Sequence, residues 1–99
     1  MILFINAEQI KAISDIIVDR NLDAVDIKNF RGVIFSLIDN INMSAFQKQR
    51  WASLSNAIPK YKNAERVCLA IKDFFYICGY NASYEFDEKL HCYNIKITW

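Results

Sequence analysis

Apolar residues recur at helical spacing through most of the chain and at strand spacing near its C-terminal end. Asn6, with Gln9 three residues on, has the form of a capping box. It predicts a first helix reaching about Arg20, with Ile10, Ile13, Ile16 and Ile17 inward and Glu8, Asp15 and Asp19 outward. A second helix follows Asp26. Its residues Ile27, Phe30, Val33, Ile34, Leu37, Ile38 and Ile41 fall within an arc of about 140° at 100° per residue. Phe35 projects on the far side beside Arg31, where a helix with one buried face would carry a polar residue.

Ser44 as N-cap and Gln47 three residues later predict a third helix. It must end by Ile58, because Pro59 disfavours helix at the residue before it. A fourth helix runs from an Asn63 cap to Gly79, with Val67, Ile71, Phe74, Phe75 and Cys78 as its main stripe. Leu69 and Tyr76 make a second stripe beside Glu65 and Lys72, which predicts a helix sandwiched inside the domain.

The β signal is clearest at the end. Tyr80, Ala82, Tyr84 and Phe86 alternate with polar residues, and after a turn at Asp87-Glu88-Lys89 so do His91, Tyr93, Ile95, Ile97 and Trp99. This is a hairpin with one aromatic-rich face packed down. Ile2 to Ile5 could be a further buried strand. The expectation is a single α+β domain over residues 1–99: four helices packed with a small antiparallel sheet, three-stranded if residues 2–5 join the C-terminal β-hairpin.

Composition narrows the class. The chain has 99 residues, 54% hydrophobic and 14% aromatic, so a real core is expected rather than disorder. The run MILFI is too short for the apolar part of a signal peptide, and no apolar stretch approaches the roughly 18–20 residues that span a membrane. Three widely spaced cysteines read as reduced thiols in a cytosol. Ile, Asn and Lys together supply 32 residues against two Gly and one Pro, a bias associated with AT-rich genomes such as those of phages and mobile elements. Net charge is +1 but unevenly spread: residues 43–72 hold six bases and one acid, while residues 1–42 hold six acids and four bases.

Catalytic chemistry is not legible. The one histidine, His91, has the inward parity of a strand and reads as structural. Gly32 and Gly79 stand alone, so there is no phosphate loop, and no cofactor is expected. Cys68 and Cys78 lie about 15 Å apart along one helix at 1.5 Å per residue, too far to share a metal. Asp19, Asn21 and Asp23 have the spacing of the first calcium ligands of an EF-hand loop. Ala24 stands where that loop needs glycine and Phe30 where it needs glutamate, so the segment reads as a helix stop with Asn21 as a left-handed cap.

One stretch offers a lead to a partner. SAFQKQRWASLSNAIPKYKNAER, residues 44–66, carries Lys48, Arg50, Lys60, Lys62 and Arg66 against Glu65 alone. On a helical wheel Lys48 and Arg50 diverge by about 160°. Lys48 faces out, and Arg50 can run its stem over the core. Lys60, Lys62 and Arg66, with Tyr61 between the lysines, suit phosphate contacts or stacking. A helix-turn-helix made of the second and third helices would offer Gln47, Lys48 and Ser55 to a groove, although the hairpin of a winged form should follow its recognition helix directly.

The resulting expectation is a small non-catalytic cytosolic protein that occupies a surface of a larger bacterial protein or nucleoprotein, as phage anti-defence (anti-CRISPR-like) inhibitors do. Its partner-binding residues would be Phe35, Lys48, Arg50, Lys60, Tyr61, Lys62 and Arg66. The alternatives are a DNA- or RNA-binding regulator using residues 44–66, and an immunity protein or antitoxin. A homodimer is compatible with all three.

Overall fold

The computed structural model describes residues 6–99. Two helices come first, α1 (Ala7–Asp19) and α2 (Ala24–Phe46). They are followed by β1 (Trp51–Pro59), α3 (Ala64–Ile77), β2 (Asn81–Asp87) and β3 (Cys92–Thr98). Both initial helices are fixed by reciprocal capping boxes, Asn6 with Gln9 and Asp23 with Asp26, so α2 begins three residues ahead of the predicted start. Asn21, at φ 53°, makes the left-handed turn between them.

The sheet is antiparallel in the order β1-β3-β2, with β3 central. The hairpin forms as its alternation predicted, pairing Asn81 with Thr98 through to Asp87 with Cys92. His91 departs from its predicted place. It is exposed in the turn at φ 51°, one residue before β3 begins.

The described residues form three helices, not four, and of these α2 and α3 pack on the sheet while α1 packs on α3. The predicted third helix does not exist: α2 runs on to Phe46, Lys48 turns the chain at φ 61°, and residues 51–59 form β1. Ser44 therefore sits in the last turn of α2, and Gln47 is its C-cap rather than the N3 of a new helix. Strand alternation was hidden by a bulge. Ala52 and Leu54 point inward, but β1 then spends four residues, Leu54 to Ile58, against two on β3, Ile95 to Tyr93. Asn56 takes the bulge at φ 53°, its backbone N–H donating to Asn94 Oδ1 (2.9 Å) and its Oδ1 accepting from Cys92 Sγ (3.0 Å). Trp51, Leu54 and Ile58 are thereby left at a spacing that mimics a helix face. The predicted strand at residues 2–5 lies outside the described residues.

The core sits between the helices and one sheet face. It is built on Phe30, Leu37, Ile41, Ile71, Phe74 and Phe75, all fully buried. Phe74, Phe75, Tyr80 and Trp99 make a chain of edge-on ring contacts with centroids 5.2, 6.5 and 5.6 Å apart. α3 buries its main stripe as predicted. Its second stripe is not sandwiched: Leu69 is half-buried and Tyr76 is 79% exposed. No helix among the described residues is long and apolar enough to cross a membrane.

Candidate functional site

The basic segment does not fold into one patch. β1 separates its halves: bulge included, it runs alongside the six β3 steps from Thr98 to Cys92, roughly 20 Å at about 3.3 Å each. Lys48 and Arg50 lie in the α2–β1 connection, where the Arg50 carbonyl accepts from the Trp99 N–H (3.1 Å). Arg50 is exposed and has no helix to carry it over the core. The helix-turn-helix loses its second helix with it.

At the other end, Lys60 donates its backbone N–H to the His91 carbonyl (2.8 Å) and holds Nζ 5.2 Å from the Phe86 ring centroid. Arg66 leans the opposite way, its guanidinium donating to the Asn21 carbonyl (3.3 Å). Lys62 is exposed. Lys60 and Arg66 thus engage different neighbours.

Tyr61 is half-buried, and a carboxylate holds its hydroxyl. Its hydroxyl donates to Asp26 Oδ1 at 2.6 Å, and Asp26 is fully buried. Asp26 Oδ2 accepts from Asn63 Nδ2 (3.1 Å) and from the Asp23 N–H (3.1 Å). Burial, reinforced by the bond to Asp26, pushes the Tyr61 hydroxyl up to about 12. The loop after β1 is therefore bolted to the start of α2. A helix start after Asp26, as the sequence predicts, gives neither the Asp23–Asp26 capping box nor the tyrosine that Asp26 also holds.

A second region stands out by its apolar character. α1 and α2 both pack on α3 and splay apart from their shared turn, leaving an open groove of about 560 Å³. Five isoleucines (Ile10, Ile13, Ile17, Ile27 and Ile34) and Phe35 line it, with Ser14 and Arg31 as its polar members. Ile10 is 57% exposed and Phe35 51%. Phe35 was singled out by its wheel position, and the structure places it at this groove. Ile10, predicted inward, was missed as a surface residue. Arg31 is exposed and has no ion pair among the described residues.

Among the described residues no group of three or more His, Cys, Asp or Glu side chains could hold a metal. Burial pushes the Cys68 thiol up to about 12, helped by the negative charge of Glu65, and burial also raises Cys78. Compared with known protein families, curated proteins and solved structures, the chain matches none.

Proposed function

We propose that this chain is a non-catalytic binding protein that seats a helix of a larger bacterial protein in the groove between α1 and α2. The occupant has an apolar face and a carboxylate that meets Arg31. The single observation behind this reading is the groove's composition. Isolated exposed hydrophobes are ordinary, but six apolar side chains from two helices, with one guanidinium that has no ion pair among the described residues, make a continuous amphipathic surface. Such grooves accept helices through residues at i, i+3, i+4 and i+7. The Ile, Asn and Lys bias of the chain is associated with AT-rich genomes such as those of phages and mobile elements, and inhibition of a host defence protein is the role proposed for it.

The test starts from capture in nuclease-treated bacterial lysate, followed by purification of the captured protein and titration against defined variants. Phe35→Ala and Arg31→Glu should each weaken that complex at least about tenfold, the size expected for a central apolar anchor or a reversed charge. Their melting temperatures should stay near that of the unaltered chain. Unchanged affinity in both variants would reject the groove. Sub-micromolar duplex binding at about 150 mM salt, lost on changing Lys60, Lys62 and Arg66 to Ala, would favour the regulator instead, because non-specific binding there is only about 10⁻⁴–10⁻⁶ M.

A further inference from the structure

The two edges of the sheet are treated differently by the sequence. β1 is guarded: Asn40 Nδ2 donates to the Ser53 carbonyl (2.9 Å), the bulge at Asn56 breaks its register, and Pro59 closes it. β2 has none of these devices. Its seven residues, NASYEFD, pair with β3 without interruption, contain no Pro, Gly or Lys, and have no strand partner on the other side among the described residues. An uninterrupted edge of this kind is a template for strand addition.

We infer that β2 pairs antiparallel with β2 of a second copy of this chain, about a two-fold axis through Tyr84. The register is self-complementary. With Tyr84 opposite itself, Ser83 faces Glu85 and Asn81 faces Asp87 of the second copy, so each acid meets a hydrogen-bond donor and no acid directly faces an acid. On the helix-covered face, Ala82 faces Phe86, small against large.

The same axis serves α3. Glu65, Leu69, Lys72 and Tyr76 form one stripe along the helix, within about 60° at 100° per residue. Tyr84 lies against the middle of that stripe: its hydroxyl donates to Glu65 Oε1 (2.9 Å), and Lys72 Nζ is 5.8 Å from its ring centroid. A two-fold through Tyr84 therefore passes near Leu69. Two antiparallel copies of α3 would meet with Leu69 at the axis and Glu65 of each beside Lys72 of the other. The exposed Tyr76 and half-buried Leu69 gain cover in the same step. This surface is separate from the α1–α2 groove and stands or falls without it.

Sedimentation equilibrium of the full chain over about 1 µM to 0.5 mM should show a reversible monomer–dimer equilibrium. Lys72→Glu should weaken the dimer by about tenfold, since each change acts twice across a two-fold. Combining it with Glu65→Lys should restore dimerisation, which a merely folded-state defect would not do. A monomer throughout that range would overturn the inference, and so would a dimer indifferent to both the single and the double change. Protection of outward-facing β2 amides from hydrogen exchange in a chain that stays monomeric would assign the edge to another segment of the same chain, and would also overturn it.

Discussion

Two polar links tie the helical layer together, and they differ in every respect that sets their strength. Asp26 is fully buried and gathers Tyr61, Asn63 and the Asp23 backbone around one carboxylate. Arg20 and Asp73 form a two-pronged ion pair, with N···O distances of 2.7 and 3.1 Å, but more than a third of each side chain faces water. Both join segments far apart in sequence. Only the first leaves unpaired groups in the interior when it is cut, and that cost, not the formal charge, decides which link governs stability.

The comparison can be broken at either end. Asp26→Ala should have the largest effect, about 3 kcal/mol, because the Tyr61 hydroxyl and Asn63 amide lose their acceptor inside the fold. Denaturant melts at neutral pH would measure it. Tyr61→Phe should cost about 1.5–3 kcal/mol, the range for a hydrogen bond to a charged group. It should also change the alkaline limb. A hydroxyl whose pKa rises from 10.0 to about 12 on folding adds stability that is complete below about 10 and is lost as pH climbs through about 12. Stability should therefore fall over that window in the unaltered chain, and less steeply in Tyr61→Phe. Tyr84, pushed up to about 12 by burial and its bond to Glu65, contributes to the part that remains, together with the raised thiols of Cys68 and Cys78 and the raised hydroxyls of Tyr80 and Tyr93. Asp73→Ala should have the smallest effect, under about 1 kcal/mol and smaller still in high salt. A loss at Asp73 as large as that at Asp26 would reverse the ranking.

What the sequence disclosed follows from how local each signal was. Asn6 with Gln9 caps α1 within four residues, and the hairpin from Asn81 to Thr98 alternates without a break, so both were legible. β1 was not. Its strand character depends on pairing with β3, and the two extra residues around Asn56 put an exposed polar side chain where the alternation called for an inward one. Losing it changed the reading of the basic segment, since a helix would have kept Lys48 and Arg50 nearer Lys60 than an extended strand does. Phe35 could be marked as misplaced because a wheel needs only its own helix. The groove beside it could not, because that required knowing that α1 leans on α3 and away from α2.

The central position of β3 also governs how the fold can be reached. Among the described residues β1 and β2 never touch, so neither has a strand partner there until β3 lies between them. Trp51 must wait for Thr98, and Pro59 for Cys92, across the whole of α3 and the hairpin. Such long closures are entropically costly early in folding, whereas the capped turn from α1 into α2 closes over a few residues. Capture of β1 by a hairpin already resting on α3 is therefore the step expected to limit the rate. Conservative changes at Ile95 and Ile97 should slow refolding, while those at Ile13 and Ile17 should mainly hasten unfolding.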